Sequence, residues 1–427
     1  MVEIHPAREP IVATLTLPGS KSYTNRALLV AALADGESRL TGALFSEDTE
    51  HMVACLNDLG LRVQGEQASQ TMVVSGRGGE IPVPDATLYC GNAGTAARFL
   101  LAMLTLGRGR YTVDGNQRMR ERPQGPLLAA LRALGCRLAS VFDNDCLPVR
   151  IDAEGCPGGE VTMDGALSSQ YFTALALAAP HMPRGIAVEV AGELVSQPYL
   201  DMTADVMRAF GVELANDAYR RFTVAPGQHY RATEYAVEPD ASAASYFYAA
   251  AALTGGSVTV RGLTRASRQG DLAFVDVLAQ MGCTVSDGPD GVTVTGPERL
   301  HGVTVDMNAL SDTALTLAAL APFADSPTEV RNIAHVRRQE SDRIAAAATE
   351  LARLGVAVTE YPDGWRIEPG APSAGAVETY DDHRLAMSFA LIGLKTPGLR
   401  IRGPECVRKT FPGFFARWAA LTAPGLA

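Results

Sequence analysis

The stretch SYTNRALLVAALADGESRL, residues 22–40, has a pattern that returns five more times along the chain. A small polar cluster precedes an Ala/Leu-rich helix that is apolar on nearly every face, and a turn and a β-prone strand follow. A helix that is apolar all round has to be buried all round. The sequence therefore predicts six repeats of roughly 72 residues. The other copies begin at GTAARFLLAMLTLGRGRYTV (94), SSQYFTALALAAPHMPRGIAVEV (168), ASAASYFYAAAALTGGSVTV (241), SDTALTLAALAPFADSPTEV (311) and DHRLAMSFALIGLKTPGLRI (382).

A second signature predicts an amphipathic helix in each repeat. A helical run ends at a glycine, and a β-prone stretch follows. Glycine at the position after a helix is a common helix stop because it adopts left-handed backbone angles at little cost. Each repeat thus holds a buried helix, an amphipathic helix and several strands. The copies are LNDLGLRV, LRALGCRL, MRAFGVEL, LAQMGCTV and LARLGVAV, with their glycines at 60, 135, 211, 282 and 355.

Composition bounds the class of protein. The chain has 427 residues, of which 47% are hydrophobic and 20% charged, so we expect a globular protein of two or three domains. A net charge of −10 argues against nucleic acid or an anionic membrane as the main partner. No apolar run is long enough to span a bilayer, and the first residues do not resemble a targeting peptide. Seven scattered cysteines without a C-x-x-C pair indicate a reducing cytosol and no zinc site.

The stretch LPGSKS in front of the first buried helix resembles a phosphate loop, but its order of residues differs from that of the nucleotide-binding loop. Ser20 separates Gly19 from Lys21, whereas that loop needs lysine directly after glycine. Only three of the 37 Lys and Arg residues are lysines, at 21, 395 and 409. A lysine kept in such a background indicates a need for a compact ammonium.

The six polar clusters stand at helix N-termini, which favour anions. Grouped three and three, they could form one anion-binding cleft. The alternative is ordinary helix capping. Capping accounts for Ser and Asp but not for the cationic side chains at the same ends, namely Lys21, Arg26, Arg98, His383 and Arg384.

Ten motifs, in this order, resemble those of the 5-enolpyruvylshikimate-3-phosphate synthase family, and the resemblance runs from about residue 10 to residue 417. It implies an α/β fold of two similar domains, each of three βαβαββ-type repeats, which is the inside-out α/β barrel of the enolpyruvyl transferases. Residues 20–239 would form one domain, and residues 1–19 plus 240–427 the other. The active site would lie in the cleft between them, with hinge closure around the ligand. The motifs are LPGSKSYTNRALLVAALADG, LYCGNAGTAARFL, RMRERPQGPLLAALRALG, DGALSSQYFTALALAAP, LVSQPYLDMT, PDASAASYF, QGDLAFVDVLAQMG, RQESDRI, DDHRLAM and RKTFPGFF.

The resemblance also implies the chemistry. The family transfers the enolpyruvyl group of phosphoenolpyruvate to the 5-hydroxyl of shikimate 3-phosphate by addition and elimination, in aromatic amino acid biosynthesis. This reaction requires a base, an acid and cations for phosphates and carboxylates. We therefore expect a cytoplasmic, monomeric transferase that needs no metal or cofactor and binds neither nucleic acid nor membrane.

Residue roles carry over by motif. The resemblance implies Lys21, Asp312 and Glu340 as catalytic, and it leaves open which group moves which proton. The residues implied for shikimate 3-phosphate are Lys21, Ser22, Arg26, Ser168, Ser169, Gln170, Ser196, Tyr199, Asp312, His335 and Gln339. Those implied for phosphoenolpyruvate are Lys21, Asn92, Gly94, Arg122, Gln170, Arg343, His383, Arg384 and Lys409.

Three positions depart from the family pattern. Gln339 stands where the family commonly has lysine, so Arg337 or Arg338 is an alternative contact for the shikimate phosphate. Phe99 replaces a proline that helps to set the loop facing the herbicide glyphosate, so sensitivity to this inhibitor does not follow from the resemblance. His335 stands where many members have asparagine.

Three other functions compete with this interpretation. The related UDP-N-acetylglucosamine enolpyruvyl transferases place a reactive cysteine in the loop before the arginine that corresponds to Arg122, and no cysteine lies between Cys90 and Cys136. A catalytically silent repeat scaffold would have lost the charged helix starts. A phosphate-binding module without chemistry would keep the cations but not both Asp312 and Glu340.

Overall fold

Small β-sheets alternate with paired helices along residues 1–422, the part of the chain that this computed structural model describes. The chain divides into two compact units. One comprises Gly19–Glu238, and the other comprises Met1–Pro18 together with the chain from Pro239 onward. Each unit has its own hydrophobic core.

The helices follow the alternation that the repeats predict. In the odd-numbered helices nearly every residue is buried, whereas the even-numbered helices bury one face. The helices are α1 (Lys21–Leu33), α2 (Glu47–Asp58), α3 (Gly94–Leu104), α4 (Gly125–Ala133), α5 (Ser169–Ala178), α6 (Pro198–Ala209), α7 (Ala241–Thr254), α8 (Phe274–Gln280), α9 (Ala314–Leu320), α10 (Arg343–Arg353), α11 (His383–Gly393) and α12 (Phe414–Thr422). Short 3-10 segments lie at Met119–Glu121, Ala179–His181, Gly270–Ala273, Asn308–Thr313, Ala321–Phe323, Ala334–Arg338 and Pro404–Lys409.

The strands between these helices are short. They are β1 (Val2–Glu3), β2 (Val12–Leu15), β3 (Asp35–Thr41), β4 (Arg62–Glu66), β5 (Thr71–Arg77), β6 (Asp85–Tyr89), β7 (Arg108–Asp114), β8 (Arg137–Ser140), β9 (Val149–Glu154), β10 (Gly159–Asp164), β11 (Ile186–Ala191), β12 (Ala215–Asp217), β13 (Arg221–Val224), β14 (Glu234–Ala236), β15 (Ser257–Arg261), β16 (Thr284–Gly288), β17 (Gly291–Thr295), β18 (Thr304–Asp306), β19 (Thr328–Arg331), β20 (Val358–Tyr361), β21 (Gly364–Ile367), β22 (Gly375–Val377) and β23 (Leu399–Ile401).

The described residues form six sheets, five of four strands and one of three. The order β6-β7-β9-β8 is typical: β6 and β7 are parallel, with Leu88 opposite Val113, and the other two pairs are antiparallel. In β9 buried and exposed residues alternate, so one face of that sheet packs on helices. Two sheets recruit a strand from far along the chain. β2 pairs with β15, and β14 pairs with β3.

The glycine stops are confirmed. Gly60, Gly135, Gly211, Gly282 and Gly355 all have positive φ values, between 81° and 101°. Since other residues rarely adopt these angles, glycine ends the amphipathic helix and turns the chain into the next strand.

The buried helices pack against one another in threes. In the Gly19–Glu238 unit α1, α3 and α5 are in mutual contact, and in the other unit α7, α9 and α11 are. The polar residues at their N-terminal ends therefore gather within each unit. No helix in residues 1–422 has the length and apolar character needed to cross a membrane.

Candidate active site

Lys21, the first residue of α1, pairs with a carboxylate that the sequence did not single out. Its Nζ lies 3.4 Å from Oδ2 of Asp48, which is only 2% exposed. Ser20 caps α1, and Ser46 forms a capping box at the start of α2. Asp48 lies in the first turn of α2, where the helix dipole favours a negative charge.

Arg26 lies one turn after Ser22 on α1 and is buried. Its guanidinium donates to the Ser22 carbonyl (3.0 Å), the Tyr199 carbonyl (3.1 Å) and the hydroxyls of Thr203 (2.9 Å) and Thr173 (3.4 Å). Burial lowers the pKa of Arg26 to about 10, so the side chain is a cation at neutral pH. These bonds fix α1 to α5 and α6.

Two aromatic rings cover the same guanidinium. The Cζ atom of Arg26 lies 5.5 Å from the ring centroid of Phe99 and 5.7 Å from that of Tyr199. Phe99 is fully buried in α3. The departure from the family pattern at this position therefore contacts an arginine of the predicted shikimate 3-phosphate set. Ser196 lies nearby in sequence at φ 53°, an uncommon angle for a residue other than glycine.

The loop before α3 binds Arg122. Nη1 of Arg122 donates to the backbone carbonyl (3.1 Å) and the side-chain oxygen (3.0 Å) of Asn92. A Cβ atom on Gly94 would lie 2.7 Å from Nη2 of Arg122, too close for any real contact. Glycine at this position thus makes room for the guanidinium, and the predicted trio of Asn92, Gly94 and Arg122 forms one structural group.

Gln170 is held by an arginine that is absent from the predicted site set. Nη1 of Arg98 donates to Oε1 of Gln170 (2.7 Å), and its Nε donates to Gln124 (3.3 Å). Ser168 caps α5 by accepting from the Gln170 backbone N–H (3.3 Å), and Ser169 is buried beside it. The capping interpretation of this motif is confirmed, and the same helix start is contacted by the buried Arg98 of α3.

In the other unit Arg343 lies at the centre of three carboxylates. Its guanidinium donates to Asp312 Oδ1 (2.9 Å), Glu340 Oε2 (3.0 Å) and Asp382 Oδ2 (2.9 Å). Burial alone would lower the pKa of Arg343, but the carboxylates of Asp382, Glu340 and Asp312 raise it above its ordinary value. Arg343 is therefore a permanent cation that orients both predicted acid–base residues.

Two further cations contact the same acids. Nη2 of Arg384 donates to Asp312 Oδ2 (2.7 Å), and Lys409 Nζ lies 3.8 Å from Glu340 Oε1. Asp312 and Glu340 each bridge two cationic side chains. The N-cap position of α9 is Thr313, and the Asp312 carboxylate accepts from Arg343 and Arg384 instead, so the capping alternative does not apply to Asp312.

Both predicted histidines are buried in this unit. His335 Nε2 hydrogen-bonds Ser311 Oγ at 2.8 Å, and burial lowers the pKa of His335 to about 4, an effect that the Asp312 carboxylate opposes and the Arg343 charge assists. It is thus uncharged at neutral pH. His383 is fully buried at the start of α11, with Nδ1 3.7 Å from Asp382 Oδ1.

Gln339, at the position of the family lysine, is hydrogen-bonded to an arginine. Its side-chain oxygen accepts a short hydrogen bond from Arg343. Arg337 is engaged elsewhere, with Asp342 (3.0 Å) and Glu360 (2.8 Å). Of the two alternative arginines, Arg338 is exposed at the surface.

The predicted residues form two groups, one in each unit. The Lys21 group comprises Lys21, Ser22, Arg26, Asn92, Gly94, Arg122, Ser168, Ser169, Gln170, Ser196 and Tyr199. The Arg343 group comprises Asp312, His335, Gln339, Glu340, Arg343, His383, Arg384 and Lys409. Two members, Asp48 and Asp382, were missed, and Arg98 was named among the cations at the helix starts but not in the site set. Arg98 and Asp382 stand inside the motifs GTAAR and DDHR, and Asp48 follows a capping serine, so each had a signal in the sequence.

Comparisons with known proteins agree on one family. The family model described as EPSP synthase (3-phosphoshikimate 1-carboxyvinyltransferase) matches residues 6–418. The 3-phosphoshikimate 1-carboxyvinyltransferase of Nostoc punctiforme is 48% identical over 417 residues, covering 98% of each chain. That of Sulfurovum sp. is 46% identical over 408 residues, covering 95% of each.

Solved structures show the same fold. The EPSP synthase of Acinetobacter baumannii superimposes with a TM-score of 0.82 at 26% identity, covering 99% of this chain and 98% of the other. The enolpyruvyl transferase NikO from Streptomyces tendae gives a TM-score of 0.75 at 18% identity, covering 98% and 96%. The second likeness concerns the fold alone.

Proposed function

The chain belongs to the EPSP synthase family, and from this premise we propose how its two residue groups transfer the enolpyruvyl group of phosphoenolpyruvate to the 5-hydroxyl of shikimate 3-phosphate. The enzyme is a 3-phosphoshikimate 1-carboxyvinyltransferase of aromatic amino acid biosynthesis. Its substrates are small molecules that carry phosphates and carboxylates. The buried cations of both groups suit such anions.

The reaction has two steps with different demands. In the addition, the 5-hydroxyl oxygen bonds to C2 of phosphoenolpyruvate, a base accepts the hydroxyl proton, and an acid protonates the methylene carbon. In the elimination, the resulting tetrahedral intermediate loses a proton from that methyl group and releases inorganic phosphate. In the elimination, negative charge develops on the oxygen of the departing phosphate, so cations placed in advance lower this barrier.

We assign the acid–base work to Asp312, Glu340 and Lys21. Asp312 is fixed by Arg343 at 2.9 Å and by Arg384 at 2.7 Å, and a carboxylate held at both oxygens keeps its orientation during proton transfer. Lys21, oriented by Asp48, is the group proposed beside the reacting hydroxyl. The variants Asp312→Asn and Glu340→Gln, assayed separately for addition and elimination, would assign each proton.

We assign the anion contacts by group. For phosphoenolpyruvate we propose Lys21, Asn92, Gly94, Arg122, Gln170, Arg343, His383, Arg384 and Lys409. For shikimate 3-phosphate we propose Lys21, Ser22, Arg26, Ser168, Ser169, Gln170, Ser196, Tyr199, Asp312, His335 and Gln339. Arg338 is our candidate for the charge that the family lysine supplies, because Arg337 is bound to Asp342 and Glu360.

Both groups have to act on the same pair of substrates, although they belong to different parts of the chain. We therefore propose that residues 20–239 and residues 1–19 plus 240–427 are two domains that supply the two halves of one active site and close on the substrates. We further propose that the enzyme acts as a cytoplasmic monomer, which fits its acidic net charge and its seven free cysteines. Sedimentation at two protein concentrations would test the monomer.

One observation carries the chemical assignment. Asp312 and Glu340 are both retained, and each is bound between two cations. A protein that only bound phosphate would need the cations without these acids. Inorganic phosphate should therefore appear when both substrates are supplied and should be absent when either is omitted.

A further inference from the structure

A second polar segment is bound to the start of α7. Gln269 accepts a hydrogen bond from the backbone N–H of Ala241 (3.1 Å) and donates one to the carbonyl of Pro239 (2.8 Å). These bonds hold the 3-10 segment that follows, in which Asp271 is 5% exposed. The position of Asp271 beside α7 is therefore fixed at both the backbone and the side chain.

The Ser242 hydroxyl links Asp271 to Arg384, a member of the Arg343 group. Oδ2 of Asp271 makes a short hydrogen bond with Ser242 Oγ, and Nη2 of Arg384 lies 3.4 Å from the same Oγ. The same Nη2 donates to Asp312 Oδ2 at 2.7 Å. Asp271 Oδ1 is buried and has no hydrogen-bond partner among residues 1–422. The structure thus places the Asp271 carboxyl group close to Arg384, with the Ser242 hydroxyl between them.

Burial, more than the surrounding charges, opposes the ionisation of Asp271. Burial and the Asp312 carboxylate raise the pKa of Asp271 to about 7, while Arg384 and the Ser242 hydroxyl lower it and Asp240, at the cap of α7, raises it. Asp240 and Ser242 stand at the start of α7, Arg384 at the start of α11, and Asp312 in the 3-10 segment before α9. Asp271 is therefore a neutral acid in mildly acidic solution and becomes a carboxylate as the pH rises past about 7.

We propose that Asp271 is a positioning residue for Arg384, acting through Ser242, and that in its neutral form it leaves the guanidinium charge to Asp312 and to phosphoenolpyruvate. This inference rests on the proposed contact between Arg384 and phosphoenolpyruvate. When Asp271 loses its proton, a second carboxylate attracts Arg384 and competes with the substrate. Binding of phosphoenolpyruvate then weakens, and binding of shikimate 3-phosphate does not.

The test compares the wild type with Asp271→Asn, which keeps the size of the neutral acid and cannot ionise. KM for each substrate is measured from about pH 6 to about pH 8.5, and titration of the substrates cancels in the ratio of the two proteins. For phosphoenolpyruvate the ratio of wild-type KM to variant KM should rise about threefold or more over this range. For shikimate 3-phosphate it should stay flat. The exposed carboxylate of Asp276, changed to Asn, is the matched control and should give flat ratios for both substrates.

A second variant covers the case in which Asp271→Asn does not fold. Ser242→Ala removes the hydroxyl between Asp271 and Arg384. KM for phosphoenolpyruvate should therefore be higher at every pH, and it should no longer increase more steeply above about pH 7. The proposal would be overturned if either variant had the same dependence of KM for phosphoenolpyruvate on pH as the wild type. It would also be overturned if KM for both substrates changed equally. A wild type without turnover would instead contradict the proposed function, so the two failures are distinct.

Discussion

Nζ of Lys21 lies 3.4 Å from Oδ2 of Asp48, and the two side chains stand in the first turns of consecutive helices. The carboxylate is almost fully buried, whereas the lysine side chain is 13% exposed. This arrangement orients the ammonium while leaving part of it accessible. It gives a physical reason for retaining a lysine in a chain whose basic side chains are nearly all arginine.

Replacing Lys21 by Met should reduce turnover by about a hundredfold or more, because a cation at the reacting oxygen is lost, while the fold persists. Asp48→Asn should also reduce turnover, because Lys21 loses the group that orients it. Steady-state rates with both substrates, together with circular dichroism, measure these effects. Lys395→Met, at an exposed lysine, is the control, and full activity of Lys21→Met would remove Lys21 from the site.

Gly94→Ala should raise KM for phosphoenolpyruvate about tenfold with little change in stability. The added methyl group would lie 2.7 Å from Nη2 of Arg122 and would push this side chain away from Asn92. Alanine itself is favourable in a helix. Gly125→Ala is the matched control, since its Cβ would meet Asp145 only at an ordinary 3.5 Å. Equal KM values for the two variants would show that Arg122 does not depend on Gly94.

His335 should make stability fall with acidity. Its pKa is about 4 in the folded protein and 6.5 when unfolded, so the unfolded chain binds more protons between these values. The contribution is complete above about pH 6.5 and is lost on acidification to about pH 4, a difference of about 3 kcal/mol. Urea unfolding of the wild type and His335→Asn at several pH values measures it. The difference in unfolding free energy between the wild type and His335→Asn should change across this pH range. The corresponding difference for His5→Asn, a change at an exposed histidine, should stay constant.

Glu350 should be important for stability because it fixes the corner that leads to α11. This fully buried carboxylate accepts from the Tyr380 hydroxyl (2.8 Å), the Glu378 backbone N–H (3.0 Å) and Arg353 (3.0 Å). Tyr380 and Asp381 have positive φ values of 53° and 54°. Glu350→Ala should lower the unfolding free energy by about 1 to 3 kcal/mol, since three part-buried donors lose their acceptor.

The control for Glu350 lies in the same corner. The Glu378 side chain makes a surface ion pair with Arg402 at 2.9 Å, and Glu378→Ala keeps the backbone N–H that Glu350 accepts from. Its cost should stay within about 0.5 kcal/mol. Chemical denaturation of both variants gives the comparison, and equal losses would contradict the role assigned to the buried carboxylate.

Structural features that depend on residues adjacent in the sequence could be predicted. The helix stops at Gly60 and Gly355 need only the positive φ that glycine adopts easily. The buried helices are apolar all round, so their burial follows from composition. Ser168 is a cap because it precedes its own helix. In each case the cause lies within a few residues of the effect.

Partners that are distant in the sequence could not be predicted in this way. Asp48 meets Lys21, and Asp382 meets Arg343, only after separate helices have packed. Asp312 could equally have been a helix cap, because sequence does not show the 3-10 segment that directs its carboxylate to the arginines. Motif resemblance supplied the cations, and the acids that orient them became visible only in three dimensions.

Release of inorganic phosphate by the purified protein is the sharpest test of the proposed enolpyruvyl transfer. We predict release with shikimate 3-phosphate and phosphoenolpyruvate together, in equal amount to the enolpyruvyl product, and none with either substrate alone. The same assay with glyphosate shows how Phe99 affects inhibition. Absence of coupled release with both substrates, or release from phosphoenolpyruvate alone, would contradict the account.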